Sequence, residues 1–214
     1  MKKVENVNIG GSPFYIDEDA YVHLNRYLNS IERHFSKSEG HDEIIEDIEF
    51  RLAELFTEQI KPRKIISTKD LDAIIEIMGR PEDFGAESFD EFTEESKEKS
   101  YSESETTFQT GRKLFRDGED KVVAGVCSGL TAYFGFKDPI YLRILFTLFF
   151  FSGIFFFGYI LLWIIVPEAK TSSDRLSMTG QPINIESIAK QVEDELITLK
   201  DKVSDLGKNF GKKK

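Results

Sequence analysis

The sequence predicts a mainly α membrane protein with a small N-terminal α+β unit, and three patterns carry that expectation. Residues 144–166, ILFTLFFFSGIFFFGYILLWIIV, run for 23 positions without a charge. Between residues 17 and 79, apolar side chains recur at three- and four-residue steps after a hairpin-like start. A third stretch, from 185 to 206, is highly charged but carries one apolar stripe. The expected organisation is a helical unit over 1–85, a disordered acidic linker over 86–111, a membrane unit over 112–168, and a second linker over 169–183. An amphipathic helix over 184–207 and a basic tail over 208–214 complete it.

Taken in order, Val7 and Ile9 alternate with polar neighbours, Gly10-Gly11-Ser12-Pro13 punctuates, and Phe14 and Ile16 resume, the pattern of a short β-hairpin. No GK[ST] follows the glycines, so a turn explains them better than a phosphate loop. Leu24, Tyr27, Leu28, Ile31 and Phe35 then form one face of a helix ending near Ser36. Ile44, Ile45, Ile48, Leu52, Leu55, Phe56 and Ile60 form the face of a second, bounded by Gly40 and Pro62. Asp42, Glu43, Glu46, Asp47 and Glu49 crowd its start, where the helix dipole favours negative charge. Spread over several faces, with His41 beside them, they cannot converge on one metal ion. Ile65-Ile66 is short and extended. Ser67 and Asp70 then suit a capping box ahead of Leu71, Ile74, Ile75 and Met78, and Gly79 and Pro81 end that helix. Residues 43–85, EIIEDIEFRLAELF, a loop and DLDAIIEIMGRPEDF, resemble the helical HAAS-type signalling module of bacterial membrane regulators. Residues 86–111 are rich in Ser, Glu and Thr without an apolar period, as in a flexible linker.

As one helix, the 144–166 run would be roughly 34 Å long, enough for a hydrocarbon core of about 30 Å. Asp138-Pro139 suits its start, and Tyr141, Tyr159 and Trp163 sit where amphipathic rings favour the headgroup region. Arg143 at the edge is expected to be a snorkelling anchor. One crossing is the simpler reading. Ser152-Gly153 also permits a re-entrant hairpin whose arms are each too short to cross. Lys137 and Arg143 on one flank balance Lys170 and Arg175 on the other, a tie mildly in favour of both ends facing the cytoplasm.

Ahead of that run, Arg112 to Lys121 is basic and turn-like, and Val122 to Phe136 is uncharged for 15 residues, short for a crossing and suited to an interfacial or re-entrant helix. Gly125, Gly129 and Ala132 would give it a smooth strip open to another helix. The whole stretch, RKLFRDGEDKVVAGVCSGLTAYFGFKDPIYLRILFTLFFFSGIFFFGYILLWIIVPE, resembles the phage shock protein C (PspC) domain. Gly125, Val126, Cys127, Gly129, Leu130, Tyr133 and Phe134 carry the first part of that likeness, and Asp138, Pro139, Arg143 and Pro167 the rest; Thr131 stands where alanine is expected. The resemblance implies a component of the bacterial inner membrane that senses envelope damage and passes the state to a partner protein. It implies no catalysis.

Composition narrows the classes. Net charge −10 and a pI near 4.9 argue against nucleic acid as partner. Residues 1–110 hold 13 Lys/Arg against 26 Asp/Glu, whereas 111–143 hold 6 against 4 and 167–214 hold 9 against 8. Segments beside the apolar run are thus slightly basic, as suits anionic lipid. The single cysteine, Cys127, lacks a neighbouring His or carboxylate to activate it and reads as a small apolar filler. The first thirty residues hold no apolar stretch of a secretory signal, so the acidic N-terminal unit is expected in the cytoplasm. With no HExxH, GxSxG or phosphate loop, the chain is expected to be no enzyme and to need no cofactor or metal.

Beyond the membrane unit, 171–181 reads as polar and loose. Ile185, Ile188, Val192, Leu196, Leu199, Val203 and Leu206 then recur at an average of 3.5 residues, a coiled-coil-like seam suited to a partner helix or to self-association. Lys208 to Lys214 adds a basic tail suited to anionic lipid. The expected partners are the lipid bilayer, a stress-response or regulatory protein and a second copy in a homo-oligomer. The function so read is an envelope-stress sensor and regulator; a structural membrane-stabilising protein and a membrane-tethered inhibitor of a transcription regulator are the alternatives.

Overall fold

Two consecutive glycines decide how the chain begins. Gly10 and Gly11 both take positive φ (54° and 77°), the backbone a two-residue hairpin turn of the right twist demands. β1 (Val4–Ile9) therefore pairs antiparallel with β2 (Ser12–Asp17) in a register running from Val4 opposite Asp17 to Ile9 opposite Ser12. The turn is tighter than the sequence pattern suggests, since Ser12 and Pro13 already belong to β2. Ile66 adds a short parallel edge: Asp17 N–H donates to Ile66 O at 3.0 Å and Ile66 N–H to Tyr15 O at 2.9 Å.

The computed structural model describes residues 3–59, 65–84, 112–118, 120–136, 138–150 and 154–211. The chain divides into two units, one of Met1–Thr107 with Asn184–Lys214 and one of Phe108–Ile183. The acidic linker expected over 86–111 and Lys212 to Lys214 of the tail lie outside the described residues.

In the first unit, α1 (Glu18–Phe35), α2 (His41–Gln59) and α3 (Thr68–Met78) follow the stripes seen in the sequence. Asp70 caps α3, accepting from Ser67 N–H at 3.0 Å and from Ser67 Oγ at 2.7 Å. Leu24, Tyr27, Ile31, Ile44, Ile48, Leu52, Phe56, Leu71 and Ile74 are fully buried and join β1 and β2 in one core, where Phe14 meets Phe56 at 5.5 Å between ring centroids. Tyr27 Oη donates to Gly79 O at 2.8 Å, tying α1 to the end of α3. Burial, with the Asp83 carboxylate nearby, pushes the Tyr27 phenol well above its usual value.

The C-terminal helix α8 (Ile185–Gly211) belongs to this same unit and packs on α2. Gly40, at φ +78°, lets it approach: a Cβ there would lie 2.5 Å from Leu196 Cδ1 and 3.1 Å from Val192 Cγ1. Lys200 pairs with Glu39 beside that contact.

The second unit holds α4 (Val126–Phe134), α5 (Ile140–Phe150), α6 (Ile154–Ile165) and α7 (Ser172–Thr179). It corrects three expectations. First, the 144–166 run is not one crossing helix. The rings of Phe146 and Tyr159 are 5.7 Å apart, whereas thirteen residues along a straight helix span about 20 Å, so α5 and α6 lie against each other. Among the described residues no helix is long and apolar enough to cross a membrane. Second, the helix expected over Val122 to Phe136 is only α4, because Gly125 at φ +75° starts it and Gly135 at φ +74° stops it. Third, 171–181 is not loose. Thr171 and Asp174 cap α7, Gly180 at φ +73° ends it, and Ser172, Ser173, Leu176, Ser177 and Met178 are buried. With only two apolar residues in eight positions, its burial leaves no amphipathic signature in the sequence.

Candidate functional site

The site is built where the extended segment 112–118 threads between α4 and the turn that follows α6. Its backbone is held on both sides. Arg116 N–H donates to Pro167 O at 2.7 Å, Ala169 N–H returns to Arg116 O at 2.9 Å, Lys113 N–H reaches Ser177 O at 3.0 Å and Asp117 N–H reaches Gly125 O at 3.1 Å. The glycines predicted to receive a helix receive this segment instead. A Cβ on Gly125 would stand 1.9 Å from Asp117 O, and one on Gly129 2.0 Å from Phe115 O. Only a residue without Cβ permits a backbone so close, so the strip Gly125, Gly129 is a backbone seat rather than a helix–helix groove. Val126 is buried beside it, and Leu130 is half-buried. Thr131, in place of the expected alanine, is buried with its Oγ1 donating to Cys127 O at 2.8 Å.

Two arginines lock the seat. Arg116 donates from Nε to Val166 O at 2.9 Å and from Nη1 to Ala124 O at 3.1 Å, and its guanidinium lies 3.6 Å from Glu168, which Lys121 also approaches at 3.6 Å. The planar fork reaches carbonyls from two separate parts of the chain, which a lysine could not do. Arg143, expected as an anchor at the membrane edge, is the second lock within the domain. From α5 its Nη2 donates to Asp120 O at 2.8 Å and Ser128 Oγ at 3.0 Å, and it pairs with Asp120 Oδ1 at 2.8 Å. Ser128 Oγ in turn donates to Asp120 O. Pro139 precedes α5 and accepts from Arg143 N–H at 3.0 Å; Asp138 lies exposed just before it.

Tyr159, expected at the headgroup level, is half-buried against Phe146, and its hydroxyl accepts from Ala124 N–H at 3.3 Å. Cys127 is half-buried; burial raises its thiol against the opposing influence of Arg143. Tyr133, Phe134 and Phe136 meet at an exposed corner, Tyr133 edge-on to Phe134 at 5.4 Å and Phe136 tilted against Phe134 at 6.1 Å between centroids. Arg116 escaped prediction because a basic stretch beside an apolar run looks like a lipid-facing charge patch, and Asp120 and Ser128 because their partner, Arg143, lies 15 or more residues away. Pro167 was singled out, yet its role is carried by its carbonyl, which any residue possesses.

Residues 112–169 match the PspC domain family over this very arrangement, from Arg112 to Ala169. The chain contains a PspC domain. Its outer limits coincide with the two segments that meet at the seat, 112–118 and 167–169, so the matched stretch is the set of residues that closes on itself. A PspC domain points to a membrane-associated, stress-response family. No curated protein and no solved structure matches the chain.

The seam on α8 lies outside the PspC domain and is divided. Ile185, Ile188 and Val192 are fully buried within the first unit, and Leu196 is half-buried over Gly40. Leu199 and Val203 are 53% and 67% exposed. Leu206 lies in the helix, and its side chain is outside the described residues. Among the described residues no cluster of His, Cys, Asp and Glu could hold a metal ion.

Proposed function

We propose that the chain is a non-enzymatic regulator of envelope stress, held in the bacterial inner membrane by its PspC domain and read out through α8. The observation that carries this is the packing of α8 with the N-terminal helices. One precedes the PspC domain and the other follows it, yet they share a core, which supports a reading in which both ends of the domain lie on one side of a bilayer. The α5–α6 pair then enters and leaves on that side. At about 16 Å and 18 Å the two helices each reach roughly half-way across the hydrocarbon. Exposed Leu148, Phe157, Leu161 and Ile164 supply the lipid-facing surface. The acidic first unit faces the cytoplasm, in keeping with its likeness to HAAS-type modules.

In this reading α8 is a shared strand of information. Its exposed half, Leu199 and Val203, is open to a helix of a regulatory protein or of a second copy. Extending that pairing to Val192 and Leu196 takes α8 off Gly40 and α2. Membrane disturbance that shifts the PspC domain changes how firmly α8 is held.

Single cysteines at the exposed Ser36 and Ser204, in a Cys127→Ser background, test the placement. In cells whose outer barrier alone is permeabilised, a membrane-impermeant thiol reagent is expected to label neither, and both after lysis. Labelling of Ser204→Cys alone would overturn the shared side. For the regulatory role, Val192→Asp should change the transcriptional response to a membrane-permeabilising agent, because a buried carboxylate expels α8. A response identical to wild type in stressed and unstressed cells would sink the proposal.

A further inference from the structure

Between α4, α5, α6 and the 122–125 turn lies a cavity of about 550 Å³, within the roughly 300–1,000 Å³ typical of sites that enclose a small molecule. Its walls are hydrocarbon and aromatic: Val123, Phe146, Phe156, Ile160 and Trp163 line it, together with the thiol-bearing Cys127. At the rim, Val122 and Val123 are 74% and 70% exposed. The single charged residue lining it is Arg143.

Arg143 is also incompletely used. All three of its contacts are made by Nη2, and among the described residues Nε and Nη1 have no partner. That leaves two guanidinium nitrogens, carrying three N–H donors, beside an apolar cavity, a combination that matches one ligand class. The tail must be hydrocarbon, because such a wall offers water almost nothing to bond. The head must be anionic and rich in oxygen acceptors, because guanidinium donors pair best with phosphate or carboxylate. We propose that the cavity binds one glycerophospholipid, with an acyl chain between α4 and the α5–α6 pair and its phosphate on the free edge of Arg143. The lipid completes the Arg143 lock: it joins α4, Asp120 and α5 through the same side chain that senses its headgroup. Loss of that lipid from a disturbed bilayer loosens α4 from α5. This rests on the membrane placement proposed above and goes further, since generic embedding requires no phosphate and no cavity.

The test uses the full chain in vesicles of phosphatidylethanolamine and phosphatidylglycerol doped with a phospholipid bearing a diazirine midway along one acyl chain. After photolysis, adducts are mapped by peptide mass spectrometry. Adducts on Leu148, Phe157 and Ile164 report embedding alone. Adducts on the half-buried Cys127 and Ile160 report the cavity. The proposal expects both sets, with the cavity set lost in Thr147→Trp, which fills the space. Arg143→Gln should lower the cavity set about tenfold, the loss of one charge-assisted hydrogen bond. Outer adducts without cavity adducts would overturn the lipid site and leave the placement standing. Absence of both sets would overturn both. Wild-type cavity adducts in Thr147→Trp would refute the occupant.

Discussion

Replacing Gly129 by alanine sets two physical effects against each other, and the structure determines which wins. Gly129 lies in the interior of α4, where alanine is worth about 1 kcal/mol more than glycine in helix propensity. A Cβ there would stand 2.0 Å from Phe115 O and 3.0 Å from Phe115 C. Neither atom belongs to a flexible side chain, so the 112–118 backbone must withdraw. Withdrawal breaks the bonds from Lys113 to Ser177, Arg116 to Pro167 and Asp117 to Gly125, at about 1 kcal/mol each. The net effect is a loss of about 2 kcal/mol, or roughly 8–16 °C in Tm for a unit of this size. Trp163, the sole tryptophan, lies in α6 and reports the second unit, so its fluorescence during thermal unfolding in detergent micelles is the assay. Gly158→Ala on α6 is the control. Nothing lies within 4 Å of its added Cβ, and the same substitution should be neutral or stabilising by up to about 1 kcal/mol. If Gly129→Ala matched Gly158→Ala in sign, the backbone seat would be refuted.

Arg116→Lys keeps the charge but cannot span Val166 O and Ala124 O; a cost of about 2 kcal/mol is expected in the same fluorescence assay, and wild-type stability would show that the fork is not what closes the domain. Gly40→Val places a branched side chain at φ +78° and against Leu196, so amide exchange around Val192 to Leu196 should accelerate at least tenfold, the effect of about 1.4 kcal/mol. Unchanged protection would mean that α8 does not need Gly40. For Tyr27 the folded phenol is shifted upward, so the fold favours the neutral form. Its contribution is complete below the ordinary phenol pKa of 10.0 and is lost as pH rises beyond it. Amide protection in α1 and α3, taken relative to the intrinsic base-catalysed exchange rate, should therefore fall above about pH 10. Tyr27→Phe should flatten that fall and cost about 1 kcal/mol at neutral pH through the loss of the bond to the Gly79 carbonyl.

Much of the first unit was legible because its helices each bury one face, which leaves a stripe in the sequence, and because Ser67 with Asp70 and the Gly10-Gly11 pair act within a few residues of themselves. α7 left no such mark, since small buried serines have no period. The PspC motif was visible as an ordered set of residues, but the set mixes side chains that act, such as Arg143, with positions valued for what they lack, such as Gly125 and Gly129. Arg116 shows the limit from the other direction: a side chain whose partners are main-chain carbonyls 8 and 50 residues away carries no local signature of its task.

By itself the sequence determined the hairpin, α1 to α3 and α8, and placed the apolar run and the glycines that punctuate it. An uncharged apolar run, amphipathic stripes and glycine punctuation are properties of near neighbours, and helix and turn formation depends on near neighbours. Tertiary structure alone decided that the apolar run doubles back with Phe146 against Tyr159, that Gly129 seats a backbone rather than a helix, and that the first half of the 185–206 seam is spent on the chain's own N-terminal helices. Each of these depends on which surface meets which across long separations, and an apolar stripe presents the same face to a distant part of its own chain as to another molecule.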